Sequence, residues 1–223
     1  MLKNLQLICF EVNNYCNLAE AHKAFCPAIQ EFRKGTTPAS NDDFISFLKS
    51  CVSNGFTGNI GFHYYNEPTL AIDRCIDIGA IVNLMGLETI LWSNGTTQIN
   101  ESWFDQVFVT DYPESIQKSC SKSIPFAPDD RMKIYDAQPT NQYETCFRPS
   151  NLEMPIDYNG NVHLCCADYL GKVEIGNIIT DNFDDIMDGW IDAITAATFG
   201  CDVCRRCQSL TKSPAVFDED YRV

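Results

Sequence analysis

Cysteine is the residue type in this sequence best able to do chemistry, and its spacing is uneven. Of 12 cysteines, six lie between positions 146 and 207: Cys146, Cys165, Cys166, Cys201, Cys204 and Cys207. Thirteen residues separate Cys146 from Gly160, four separate Gly160 from Cys165, and the group closes with Cys201-Asp202-Val203-Cys204-Arg205-Arg206-Cys207. Four converging thiolates are the donor set of an iron-sulfur cluster or a tetrahedral zinc site. The expected ligands are four of the five Cys146, Cys165, Cys201, Cys204 and Cys207. A second pair, Cys16 and Cys26, stands near the start with Glu20, His22 and Lys23 between them. A protonated Lys23 is a poor iron ligand, whereas His22 as a neutral imidazole and Glu20 as a carboxylate are able donors. A solvent-facing or loop-capping His22 is the alternative, and Cys9 or Cys120 are remote thiols that the fold could bring to the pair.

Each group follows a segment able to position it. Residues 5–12 are a mostly apolar run, the pattern of a strand buried on both faces, so Cys16 falls just beyond a first strand, where α/β folds place their chemistry. Ser40-Asn41-Asp42-Asp43 reads as a helix start ahead of Phe44, Ile45, Phe47, Leu48, Cys51 and Val52, with Gly55 ending it. Residues 59–64, 88–93, 107–110 and 132–135 read as further strands and 70–84 as a helix. Residues 155–166 read as a hairpin turning at Asp157-Tyr158-Asn159-Gly160, because Asn-Gly supplies the positive φ of a tight turn. Strand alternation would then put His163 and Cys165 on one face and Cys166 on the other. Residues 183–197 form an amphipathic pattern with Trp190 on its buried face, returning the chain to Cys201. Cys9, Cys51 and Cys75 fall in apolar patterns, the setting of core thiols, while Cys120 lies in a polar loop. His63 has a pocket role or, more in keeping with its strand, that of a hydrogen-bonded core histidine.

Composition narrows the classes. A chain of 223 residues, 45% hydrophobic and 21% charged, builds one sizeable core or one core with a small lobe, and it excludes disorder. A net charge of −14 argues against a general binder of nucleic acid or anionic membranes. No apolar run approaches the ~18 residues of a spanning helix and no signal-peptide pattern opens the chain, so a cytoplasmic location is expected. In that reducing setting, Cys-x-x-Cys spacing points to metal or cluster ligation rather than disulfides.

The closing motif, with Gly176-Asn177-Ile178 and Trp190 inside it, resembles the SPASM or twitch domain of radical S-adenosylmethionine (SAM) enzymes, which holds an auxiliary [4Fe-4S] cluster. The front end resembles the same superfamily. Glu11-Val12-Asn13-Asn14-Tyr15-Cys16-Asn17-Leu18 and Phe25-Cys26-Pro27 are similar to the two ends of its cluster loop, although three residues are inserted and the middle cysteine is missing. Tyr65-Asn66-Glu67-Pro68 resembles its Gly-Gly-Glu-Pro turn, and Ser93-Asn94-Gly95 its Thr-Asn-Gly strand end.

The resemblance implies an α/β fold: a shortened partial (β/α) barrel over residues 1–140, a hairpin-plus-helix lobe over 141–210 and a polar tail over 211–223. It implies SAM contacts at Phe25, Asn66, Glu67, Pro68, Asn94 and Asp111, and a first cluster on Cys16, Cys26 and a third donor such as His22. It further implies reductive cleavage of SAM, hydrogen abstraction from a peptide, sugar or nucleoside, and an electron donor such as flavodoxin or ferredoxin. The alternatives are an iron-sulfur scaffold that docks a peptide or partner enzyme, and a structural zinc protein.

Overall fold

The computed structural model describes residues 2–29, 37–117, 122–125, 136–139, 153–173, 175–198 and 201–207. Short runs with little polar interruption become strands: Leu7–Phe10 (β1), Asn59–Phe62 (β2), Thr89–Ser93 (β3) and Gln106–Asp111 (β4). They are joined by Lys122–Pro125 (β5), Glu153–Ile156 (β6), Asn161–Val162 (β7) and Gly176–Asn177 (β8). All eight belong to one sheet of order β5-β4-β3-β2-β1-β6-β7-β8. From β5 across to β6 the strands are parallel, and only β6-β7-β8 run antiparallel. The first strand of the cysteine-bearing hairpin is therefore hydrogen-bonded to β1, in the register Leu7↔Glu153 to Phe10↔Ile156, and the sheet runs unbroken from the parallel strands into the hairpin.

One face of the sheet builds the core. Ile8, Phe10, Ile60, Phe62, Leu91, Val107, Val109, Met154 and Ile156 meet Phe44, Phe47, Leu48 and Cys51 of Asn41–Ser53 (α1) and Cys75, Ile78 and Val82 of Ile72–Leu84 (α2). The helix start read from sequence is a reciprocal cap: Asp43 N–H donates to Ser40 Oγ at 3.2 Å and Ser40 N–H to Asp43 Oδ2 at 2.8 Å. Such a cap contributes about 1 kcal/mol. Phe183–Thr198 (α3) adds Ile186, Trp190 and Ala193 to the same core, as its amphipathic pattern requires, and Asp202–Cys207 (α4) carries the last cysteines.

A second, smaller apolar cluster of Ala28, Tyr64, Tyr65, Ala167, Tyr169 and Val203 lies apart from the main core. Six half-buried cysteines pack on it: Cys16, Cys26, Cys165, Cys166, Cys201 and Cys207. Front-loop and carboxy-terminal thiols thus share one apolar support.

Several expectations are corrected in detail. The first two strands stop at Phe10 and Phe62; just beyond β1 the Glu11 N–H still donates to the Ile156 carbonyl of β6, while its carboxylate takes N–H groups of the second turn. The 70–84 helix is preceded by a 3-10 turn, Pro68–Ala71, and the α-helix proper runs Ile72–Leu84. The strand at 132–135 lies outside the described residues, and Lys122–Pro125 stands beside β4. The hairpin's return strand ends at Val162, so Cys165 and Cys166 occupy a turn and alternation does not separate them; both pack against the second cluster. His63 is exposed rather than a core histidine, its ring 5.9 Å from that of Trp92. Cys51 and Cys75 are fully buried, as their apolar settings required.

Candidate functional site

Because β1, β2, β3 and β6 are parallel, their carboxyl ends open on the same side, and four turns meet there. Side-chain hydrogen bonds stitch them together. Asn13 Nδ2 donates to the Glu67 carbonyl at 2.6 Å, Asn66 Nδ2 to the Asn13 carbonyl at 3.1 Å, and Glu67 N–H to the Tyr15 carbonyl at 3.1 Å. Asn17 Nδ2 donates to Thr96 Oγ1 at 2.6 Å and Asn94 Nδ2 to Asn17 Oδ1 at 2.8 Å. Asn94 Nδ2 also lies 3.8 Å from Cys16 Sγ, so the third strand's turn touches the first thiol.

Glu67 is the clasp between the second and third turns. Its Oε1 accepts from Thr69 N–H (3.1 Å), Thr69 Oγ1 (2.6 Å) and Ser93 Oγ (2.8 Å), and its Oε2 from Asn94 N–H (2.7 Å). Burial raises its carboxyl above the usual range even against those four bonds. Pro68 is buried behind it. Beside it Asn66 is 5% exposed, and its Oδ1 is a buried acceptor with no hydrogen-bond partner among the described residues. Asp111 ends β4 exposed, and Phe25 is half-buried with its ring 4.9 Å from that of His22.

Sequence reasoning missed Glu11. It is 2% exposed, and its Oε1 accepts from Tyr65 N–H at 3.1 Å and Asn66 N–H at 3.2 Å, while Oε2 accepts from Tyr158 N–H at 3.4 Å. One carboxylate so ties the first loop, the second turn and the hairpin turn. A charge at the end of an apolar strand was the available signal, since a buried carboxylate needs partners.

The front-loop cysteines are both half-buried. Burial, more than the smaller repulsions from Glu67 and Cys26, pushes the Cys16 thiol up to about 11. Glu20 and Lys23 pair with each other in solvent. His22 is buried, packed between the rings of Phe25 and Tyr112, with Nε2 3.8 Å from Glu114 Oε2. Cys9 is withdrawn beneath the sheet, its Sγ 3.6 Å from Glu153 Oε1. Cys120 and Cys146 lie outside the described residues.

At the other end, Cys201 Sγ and Cys204 Sγ are hydrogen-bonded at 3.1 Å, which brings the Cys201 thiol down to about 7. Cys204 is buried, and Cys165 and Cys207 pack half-buried about the same cluster. The hairpin turn has the expected form, with Gly160 at φ +83° and its N–H on the Asp157 carbonyl at 2.9 Å. Behind Cys165, His163 is 4% exposed with Nε2 3.0 Å from Asp157 Oδ2. Burial raises the Asp157 carboxyl, but the His163 hydrogen bond and charge outweigh it and hold the group below its usual range. The Tyr64 ring packs tilted against His163 at 5.2 Å, and its hydroxyl donates to the Cys165 carbonyl at 3.3 Å. His163→Ala is expected to cost about 2–4 kcal/mol, through a cavity and a buried carboxylate stripped of a donor. It should also change the visible spectrum of any cluster on Cys165. A spectrum and urea midpoint unchanged from wild type would refute that support role.

Residues 146–208 match the family described as SPASM, an iron-sulfur cluster-binding domain. The crystal structure of BtrN in complex with AdoMet and 2-DOIA superposes with a TM-score of 0.69 at 22% identity, covering 90% of this chain and 92% of that one. The chain therefore shares the fold of BtrN, and its residues 146–208 match the SPASM domain. BtrN in an open conformation gives a TM-score of 0.62 at 22% identity, over 91% of this chain and 92% of that chain. Native anSMEcpe with bound AdoMet gives 0.54 at 14% identity, over 94% and 92%. In sequence, the S-adenosyl-L-methionine-dependent 2-deoxy-scyllo-inosamine dehydrogenase of Niallia circulans is 24% identical over 212 residues, 83% of each chain.

Among the described residues, no three Cys, His, Asp or Glu side chains already converge closely enough to hold a metal ion. The donor chemistry nevertheless fits clusters at both places. Cys165, Cys201 and Cys207 pack around one apolar support with Cys204 buried in the adjoining main core, and Cys16 and Cys26 form a half-buried pair on that support, the Cys16 thiolate being disfavoured by burial until a metal compensates its charge.

Proposed function

We propose that this chain is a radical SAM oxidoreductase, with a SAM-binding [4Fe-4S] cluster on the Cys16–Cys26 loop and an auxiliary [4Fe-4S] cluster on Cys146, Cys165 and two of Cys201, Cys204 and Cys207. The observation that carries this reading is the buried, unpartnered Asn66 Oδ1, set where the front-loop cysteine turn is laced to the ends of β2 and β3. An acceptor held so, beside a carboxylate-clasped turn, suits the ammonium of SAM.

When bound, a cluster held by the Cys16–Cys26 loop would supply reductive cleavage of SAM and hydrogen-atom abstraction from substrate, and a cluster held by the carboxy-terminal cysteines would supply an electron acceptor. The chain's own part is to hold and orient. Asn66 binds the ammonium, Glu67 fixes the turn that presents it, Asn94 positions the Cys16 thiol, and Asp111 at the end of β4 meets the ribose. Tyr64, Tyr65 and Tyr169 line the apolar support that keeps water from the thiolates.

The Niallia circulans relative is, by its name, a dehydrogenase of 2-deoxy-scyllo-inosamine. A small polyhydroxylated substrate, within the sugar and nucleoside classes expected from sequence, is the reading we favour over a peptide. Free cysteines held as cluster ligands rather than disulfides suit a reducing compartment, so the proposed location is cytoplasmic with flavodoxin or ferredoxin as donor. No helix among the described residues is long and apolar enough to cross a membrane.

One observation favours a second reading, a cluster-bearing scaffold without SAM chemistry: no third cysteine lies between Cys16 and Cys26. Anaerobic reconstitution separates the two. Wild type should bind two clusters and release 5′-deoxyadenosine with SAM and dithionite, and Cys16→Ala/Cys26→Ala should lose one cluster and at least about a thousandfold in SAM cleavage. A single cluster untouched by that double substitution, with no deoxyadenosine, would leave the scaffold; a colourless zinc-loaded protein would establish the structural metal instead.

A further inference from the structure

Strand alternation gives the sheet a second face, opposite the one that builds the core. Cys9 stands between the core residues Ile8 and Phe10 of β1, and Gly61 between Ile60 and Phe62 of β2; Trp92 and Phe108 follow Leu91 and Val107 in β3 and β4. The register sets Trp92 beside Phe108 and Phe108 beside Lys122, and because Phe62 pairs with Leu91, His63 falls level with Trp92. His63, Trp92, Phe108 and Lys122 therefore form one row across the sheet.

The row is packed as a stack. The Trp92 and Phe108 rings lie 12° from parallel with centroids 5.4 Å apart, and the Lys122 ammonium is 4.8 Å from the Phe108 centroid. The His63 ring tilts by 43° toward Trp92 at 5.9 Å. Gly61 makes room for the indole, since a Cβ there would stand 2.7 Å from Trp92 Cζ3 and 3.0 Å from Cys9 Sγ. Stacked aromatic rings are ordinarily core, yet Trp92 and Phe108 lie outside both apolar clusters of the described residues. Trp92 is only half-buried and His63 is exposed. A large ring backed on one side and left partly open is a platform.

The platform adjoins the proposed SAM site. His63 and Asn66 line one small hollow beyond the ends of β1 and β2, together with Glu11, Asn13 and Pro68. An indole face carries partial negative charge and favours the slightly positive C–H bonds on one side of a saturated ring. An imidazole both donates and accepts, which suits a hydroxyl.

We propose that Trp92 and His63 seat the substrate: a cyclic polyol lays a C–H face on the indole and places a rim hydroxyl on the imidazole. The proposal rests on the radical SAM reading above and deepens it, because it names the residues that select a ring over an open chain.

The test uses the full reconstituted chain, with clusters oxidised and SAM present. The probe is scyllo-inositol, whose equatorial hydroxyls leave axial C–H bonds on both faces; D-glucitol, equally hydroxylated but acyclic, is the control. Saturation-transfer NMR should pass signal from aromatic protons of the protein to the inositol C–H protons, and far less to D-glucitol. Trp92→Ala should weaken inositol binding about tenfold, as should Gly61→Ala, which displaces the indole without removing it, whereas Trp92→Phe should retain most of it. His63→Ala, a change at an exposed position, should cost about fivefold with iron content as in wild type. No inositol signal in wild type, an equal signal from D-glucitol, or a signal unmoved by both Gly61→Ala and His63→Ala would overturn the proposal. Release of 5′-deoxyadenosine by that same wild type with dithionite would then leave the enzyme reading standing. An inositol signal that depends on Trp92 and His63, in a protein that cleaves no SAM, would uphold the platform and overturn the enzyme reading alone.

Discussion

Glu67→Ala should unfold at a Tm about 6–12 °C below wild type and should lose SAM binding. Its carboxylate accepts from the backbone N–H groups of Thr69 and Asn94 and from the hydroxyls of Thr69 and Ser93. The hydroxyls can rotate to new acceptors, but the two N–H groups cannot, and each buried donor left unpaired costs about 1–3 kcal/mol. A total near 3 kcal/mol at about 2–4 °C per kcal/mol for a chain of this size gives the stated shift. SAM binding goes with it because Asn66 is held on one side of this clasp and Asn94 on the other. Glu67→Gln is not a silent replacement. The two N–H groups sit on different carboxylate oxygens, so either orientation of the amide sets an NH₂ against one of them.

The same pair of proteins gives a pH test. Burial raises the native Glu67 carboxyl above its ordinary value of 4.5, so the native state holds this proton at a pH where the unfolded chain has released it. The contribution is present in full below the unfolded value and is lost as pH rises through the native one. The stability of wild type minus that of Glu67→Gln should accordingly fall across that window in urea titrations. A difference flat with pH would show that Glu67 does not titrate as its burial requires.

Much of this arrangement was legible because it rests on local signals. Apolar runs gave the strands, though β1 and β2 stop two residues short of their runs; Ser40 and Asp43 gave the cap; Asn159-Gly160 gave the hairpin turn with its positive φ. What stayed hidden needed a partner distant in sequence. Glu11 reads as the polar end of a strand until Tyr65, Asn66 and Tyr158 donate to it from 54, 55 and 147 residues away. His22 reads as one of three possible loop donors until Tyr112 and Glu114 close over it from another strand end. Cys166 was assigned by alternation to the face opposite Cys165, which fails because the ladder stops at Val162 and a turn has no period. Nor does spacing show that β6 is paired directly with β1, a non-local pairing which places the hairpin's cysteines beside the front loop.

The seat of α3 against the backbone ahead of β8 depends on a residue with no side chain. Gly189→Ala in α3 should lower stability by about 2 kcal/mol, although helix propensity alone would raise it by about 1 kcal/mol. A Cβ at Gly189 would lie well inside van der Waals contact with the Ile175 carbonyl oxygen, which is backbone just ahead of β8 and has nowhere to go. Relief would require α3 to back away, unpacking Ile186, Trp190 and Ala193 from the core. Gly79→Ala in α2 is the matched control. There a Cβ meets only ordinary contacts, the nearest being Thr89 Cγ2 at 3.6 Å, so the propensity gain should stand and stability should rise. Because α3 runs on to Cys201 and α4, its displacement should fall on the auxiliary site. Reconstituted Gly189→Ala should lose up to about half of its iron while keeping SAM binding at the front loop. A Gly189→Ala protein with the urea midpoint and iron content of Gly79→Ala would show that α3 is not wedged against Ile175, and that the auxiliary cysteines do not depend on its position.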